Sequence, residues 1–132
     1  MPVDQSGLLR AASEAAKLAY SPYSRFCVGA AVLTGSGKIF TGCNVENASY
    51  GLTVCAERVA VLKAISEGEK ELISIAICSE GAAYPCGACR QVLHEFAPGL
   101  EVILGDNKGK YCNQQNLRDL LPDSFGPGFK KV

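Results

Sequence analysis

Apolar positions recur along this chain at two spacings, one suited to helices and one to strands. "SGLLRAASEAAKLAY" (6–20) sets Leu8, Ala12, Ala15 and Ala19 on one helical face, and Ser21-Pro22 stops it. "FCVGAAVLT" (26–34) and "KIFTGCNV" (38–45) read as strands, and the "GSG" between them predicts a hairpin. "CAERVAVLKAISEG" (55–68) is apolar nearly all round, which predicts a well-buried helix ended by Gly68. "LISIAIC" (72–78) is an unbroken apolar run, as in a strand covered on both faces. "CGACRQVLHEFA" (86–97) predicts a second buried helix with Val92, Leu93 and Phe96 on its core face. "EVILG" (101–105) is a further strand, "KYC" (110–112) a short one, and "QQNLRDLL" (114–121) a last helix before Pro122. Helices alternating with buried strands predict a layered α/β sandwich on a mixed sheet, and the 132 residues, free of repeats and linkers, read as one domain, 1–132.

Composition narrows the function classes. Thirteen basic residues balance thirteen acidic ones, and the terminal Lys130-Lys131 pair is too small to hold a phosphate backbone. Polymeric nucleic acid is therefore not the expected partner. No apolar run approaches the roughly 18 residues that span a bilayer, so no membrane is expected. "MPVDQSGLL" lacks the basic and apolar regions of a signal peptide. Seven cysteines without an export signal are expected as thiols or metal ligands in the cytoplasm.

Cys86-x-x-Cys89 is the sharpest chemical feature, yet two thiols do not close a zinc site. His94 lies about 7.5 Å further along the same predicted helix, at 1.5 Å per residue, and reads as a surface or packing histidine. Cys27, Cys43 and Cys78 fall in predicted strands and read as small buried hydrophobes, and Cys112 sits at a late strand end. Cys55, like Cys86, opens a helix. Two adjacent helix N-termini can aim three thiolates at one point, with helix dipoles favouring their charge. Three thiolates and one open position match the ligand count of a catalytic zinc, although spacing alone leaves structural zinc and metal-free readings open. Glu57 tips the balance. It is not on the face of Cys55, but it can reach a water beside the metal, and a charge in the first turn of so apolar a helix calls for a use.

Cys-Ala-Glu followed about thirty residues later by Pro-Cys-x-x-Cys resembles the zinc-dependent nucleoside and nucleobase deaminases. The blocks "FCVGAA" (26–31), "GCNVENASYG" (42–51), "CAERVA" (55–60), "PCGACRQ" (85–91) and "LLPDSFGP" (120–127) together resemble the small homotetrameric type of cytidine deaminase. That resemblance implies a three-layer α/β/α sandwich on a five-stranded mixed sheet. It also implies hydrolytic deamination of cytidine and 2′-deoxycytidine, a step of pyrimidine salvage. Cys55, Cys86 and Cys89 would bind one zinc per subunit, with water as fourth ligand, and Glu57 would shuttle the proton. Asn44 and Glu46 would hydrogen-bond the ribose, Phe26 would pack on the pyrimidine, and Ala56 would offer a backbone contact to the base. Arg58 and Gln91 would hydrogen-bond the zinc thiolates. Tyr50 and Phe125 would reach into a neighbouring subunit's site.

Bland readings stand beside these. Asn44 and Glu46 also suit a turn after a strand, Phe26 and Phe125 an ordinary core, Tyr50 an ordinary surface, and Arg58 a solvent-facing ion pair. A deaminase of a modified cytosine nucleoside such as blasticidin S is the alternative within the superfamily. A structural zinc module has no use for Glu57, and a thioredoxin-like dithiol has none for Cys55.

Overall fold

A computed structural model describes residues 4–127. Its elements run α1 (Gln5–Ala16), β1 (Val28–Thr34), β2 (Ile39–Cys43), a short 3-10 turn (Tyr50–Leu52), α2 (Ala56–Ser66), β3 (Leu72–Ser79), α3 (Gly87–Phe96), β4 (Glu101–Gly105), β5 (Tyr111–Asn116) and α4 (Leu117–Leu120). Five strands form one mixed sheet in the order β2-β1-β3-β4-β5. The β3–β4 pair is parallel, and β1–β2, β1–β3 and β4–β5 are antiparallel.

Strand alternation divides the apolar side chains into two cores, one on each face of the sheet. Ala31, Leu33, Ala76, Cys78 and Ile103 pack against Leu8, Leu9 and Ala12 of α1. Ala30, Val32, Ile75, Ile77, Val102 and Leu104 face the opposite layer, where Ala60, Val61, Leu93 and Leu117 come from α2, α3 and α4. The three-layer α/β/α arrangement follows. Layers approach closely where glycine makes room: a Cβ on Gly42 would lie 2.5 Å from Ala60 N and 2.7 Å from Ala56 O of α2, and one on Gly29 would lie 1.9 Å from Ala12 O.

Several sequence expectations are corrected. The first helix ends at Ala16 rather than Tyr20, because the Tyr20 N–H bonds the Asn44 carbonyl (2.9 Å) and Tyr20 pairs with Val45. The short strand expected at 110–112 runs instead to Asn116, so most of the helix expected over 114–121 is extended. Glu101 of β4 holds it there, accepting from Gln114 Nε2 (2.9 Å) and Asn116 Nδ2 (3.0 Å). α4 then starts with Asn116 as its N-cap, the side chain accepting from Arg118 N. α2 is buried along one face, through Ala56, Glu57, Ala60, Val61 and Ala64, while Leu62 is exposed. α3 buries Cys89 and Leu93, with Val92 and Phe96 half-buried. Among the other cysteines, Cys78 is buried as expected, but Cys43 is half-buried and Cys27, just before β1, is exposed.

Among the described residues, no helix is long and apolar enough to cross a membrane.

Candidate metal centre and active site

Cys55 and Cys86 each occupy the N-cap position of their helix, in extended backbone conformation, and neither sulfur is spent on a capping bond. Cys89 lies one turn into α3 and is fully buried. The helix starts thus converge, and the three sulfurs lie within 4.8 Å of one another. Zn–S bonds of about 2.3 Å in tetrahedral geometry put sulfurs roughly 3.8 Å apart, so the cluster has the size for one zinc ion.

Electrostatics make the same point. Three thiolates cannot share this point without a cation. A bond from the Cys89 thiol, helped by Arg58, pulls the Cys55 thiol down to about 5. That same bond, then burial and the charge of Glu57, push the Cys89 thiol up. A dication at the centre removes the conflict and lets all three ionise. His94 stands apart from the cluster, its Nε2 3.0 Å from Ser124 Oγ, which is the packing role expected of it.

Glu57, in the first turn of α2, is 5% exposed. Burial is the main force pushing its carboxyl up to about 7, and the negative charge of Cys55 adds to it. Glu57, Cys55 and Cys86 are among the residues that line a cavity of about 270 Å³. Phe26, Ala56 and Tyr84 contribute to its walls, and Asn44 and Glu46 stand in the same lining.

Two of these residues are held by bonds to neighbouring segments. Asn44 ties down the start of β1: its Nδ2 donates to Phe26 O (2.8 Å) and its Oδ1 accepts from Val28 N (2.9 Å). Glu46 Oε1 accepts from the N–H groups of Tyr23 (3.0 Å) and Ser24 (3.1 Å), while its Oε2 accepts from the Ser24 hydroxyl. The hydroxyl bond above all holds this carboxyl below the usual carboxylate range.

Around the sulfurs, Arg58 Nη2 lies 3.5 Å from Cys55 Sγ and 3.4 Å from Thr53 O, and its Nε is buried with no hydrogen-bond partner among the described residues. Gln91 departs from expectation. Its Nε2 donates to the Phe125 carbonyl (2.8 Å) rather than to a thiolate, because the 120–127 segment folds back over α3. Arg90 donates from Nε to Pro85 O (2.7 Å) and from Nη1 to Leu120 O (2.8 Å), fixing the peptide just before Cys86. Tyr50 and Phe125 are 75% and 71% exposed and are absent from this cavity's lining. The Tyr50 ring meets Tyr23 edge-on at 5.9 Å, beside an adjoining hollow of about 340 Å³ that shares Ser24, Glu46 and Thr53 with the first.

Ser24, Thr53, Ala83 and Tyr84 also line the cavity and were not singled out from the sequence. They sit on connecting segments, and no spacing pattern marks them. The Tyr84 hydroxyl accepts from Asn113 Nδ2 (2.6 Å), an anchor on β5 that only the folded chain brings near.

Comparison with known proteins places this architecture among relatives. Residues 2–105 match the family model for the cytidine and deoxycytidylate deaminase zinc-binding region. A cytidine deaminase of Halalkalibacterium halodurans is 45% identical over 126 residues, 93% of this chain and 95% of that protein. One of Mycobacterium tuberculosis is 47% identical over 127 residues, 94% of this chain and 91% of that protein. The crystal structure of a cytidine deaminase from Burkholderia pseudomallei superposes with a TM-score of 0.88 at 48% identity, covering 93% of this chain and all of that one (100%).

Proposed function

This chain belongs to the cytidine and deoxycytidylate deaminase family, and from that premise we propose that it hydrolyses free cytidine and 2′-deoxycytidine to uridine and 2′-deoxyuridine, releasing ammonia. The observation that carries the reading is a buried carboxyl poised near neutrality, Glu57, in the lining of a small cavity that Cys55 and Cys86 also line. The whole chain, 1–132, acts as one catalytic domain.

Zinc held by Cys55, Cys86 and Cys89 supplies Lewis acidity and makes water a nucleophile near pH 7. The side chains do the rest. Glu57 takes a proton from the attacking water and delivers it to N3 of the pyrimidine as oxygen adds to C4. It then carries the remaining hydroxyl proton to the amino nitrogen, and ammonia leaves. One group serves as base and then acid, which suits a carboxyl raised to about 7. The Arg58 guanidinium beside Cys55 offsets the excess negative charge of three thiolates. Phe26 packs on the pyrimidine, the Ala56 backbone meets the base, and Glu46 accepts the ribose 3′-hydroxyl, with Asn44 beside it.

The enzyme works as a homotetramer, with Tyr50 and Phe125 completing the sites of neighbouring subunits. Their exposure, together with that of Tyr20, Tyr23 and Leu52, supports this. All seven cysteines are free, which suits the reducing cytoplasm.

Glu57→Gln tests the chemistry. The variant is expected to retain one zinc per chain while ammonia release falls by about 10²–10⁴-fold. A variant that keeps its zinc and releases ammonia at a rate comparable to the parent refutes the role of Glu57.

A further inference from the structure

We propose that Ser24 is a positioning residue, which aims the one acceptor site left on Glu46 at a single sugar hydroxyl. The proposal rests on the reading of Glu46 as the ribose-binding carboxylate.

A carboxylate offers about four acceptor sites. Among the described residues, donors fill three of these on Glu46. Tyr23 N–H and Ser24 N–H take both sites of Oε1, and the Ser24 hydroxyl takes one of Oε2. One site on Oε2 is left, on a carboxylate that lines the cavity. The Ser24 hydroxyl must donate here, since an ionised carboxylate cannot, and its own lone pair accepts Phe26 N–H at 3.0 Å. Ser24 therefore joins the sugar-binding group to the backbone of the residue expected against the base.

The loop is shaped for this arrangement. Arg25 takes φ +59°, an unusual conformation for a side-chain-bearing residue, and its N–H bonds Ser21 O at 2.9 Å. That turn carries the Tyr23 and Ser24 N–H groups to Oε1. The Glu46 N–H bonds Tyr20 O at 2.9 Å, so the carboxylate's own backbone is tied to the start of the same loop. Residues 20–26 thus wrap the 44–46 segment. With the hydroxyl removed, Oε2 loses its fixed donor, the carboxylate can rotate, and its open site no longer points in one direction.

The comparison to make is kcat/KM for 2′-deoxycytidine and for 2′,3′-dideoxycytidine, which lacks only the 3′-hydroxyl. In Ser24→Ala, kcat/KM for 2′-deoxycytidine is expected to fall about tenfold, as for loss of a charge-assisted hydrogen bond, while that for the dideoxy compound stays within about twofold. Ser24→Thr, which keeps a hydroxyl, is expected to restore most of the loss. Ser24→Gly serves the same comparison if alanine disturbs the turn. An equal fall for both substrates, or no fall for either, overturns the proposal, since the first is what a merely structural serine would give. Glu46→Gln separates the premise: it is expected to narrow the preference for 2′-deoxycytidine over the dideoxy compound. A preference unchanged in Glu46→Gln removes the sugar reading and this proposal with it, whereas a narrowed preference with an indifferent Ser24→Ala removes the role of Ser24 alone.

Discussion

Glu57 and Glu46 are carboxylates in one cavity driven in opposite directions by their surroundings. Burial pushes the first up to about 7, and hydrogen bonds from Ser24 and Tyr23 hold the second below its ordinary range. Separation of this kind lets one group exchange protons while the other stays an ionised acceptor. Asp4, Glu101 and Asp106 are lowered in the same way as Glu46, each by bonds accepted from nearby donors. A carboxyl with a depressed folded-state pKa stabilises the fold above its unfolded value of roughly 4, and that contribution is lost as pH falls through the folded value. These four lowered carboxyls are therefore expected to withdraw stability as pH falls below about 5, so that resistance to urea drops between about pH 5 and pH 3. Glu57, whose carboxyl is raised, acts in the opposite sense between about pH 7 and pH 5. A urea midpoint that does not change between pH 5 and pH 3 would contradict these assignments. At this scale the sequence drew attention to Cys55, Cys86, Cys89 and Glu57 because they stand at two helix starts, while spacing alone left their roles open. Ser24 stayed hidden because its partner, Glu46, lies 22 residues away along the chain and only the loop around Arg25 brings them together.

The elements that carry the sulfurs depend on how closely α2 lies on the sheet. Gly42 of β2 faces the backbone of α2 at Ala56 and Ala60, immediately after Cys55. A methyl group there meets main chain rather than a flexible side chain, so α2 must lift. Gly42→Ala is expected to destabilise the fold by about 1–3 kcal/mol and to weaken zinc binding, read by thermal unfolding and by metal content after dialysis. Unchanged melting and metal content would show that α2 does not rest on β2 as described. Helix and strand periodicity revealed most of this framework, including both helices that open on a cysteine. It failed at β5, where "QQN" suits a helix locally but Glu101 on the neighbouring strand binds two of its side chains, and pairing with β4 outweighs the local preference. It also overstated the burial of α2, whose Leu62 points outward despite the run of apolar residues around it.

On the scale of the whole molecule, aromatic residues lie uncovered close to the cavity. Tyr23 and Tyr50 line the hollow beside it, and elsewhere Phe125, whose carbonyl accepts from Gln91 of α3, is also largely exposed. Sedimentation is expected to give a mass four times the 13.9 kDa of the chain, with Tyr50→Ala shifting it toward smaller species, and a monomer of full activity would contradict shared sites. The central claim, that three sulfurs and a zinc make this cavity a cytidine-hydrolysing site, is tested most directly on the unaltered protein. Cytidine loss is followed by ultraviolet absorbance and ammonia by direct assay while zinc is stripped with a chelator and then restored. One ammonia per cytidine, with turnover falling and recovering in proportion to bound zinc, is the predicted result; turnover that survives complete zinc removal, or none in fully zinc-loaded protein, would contradict it.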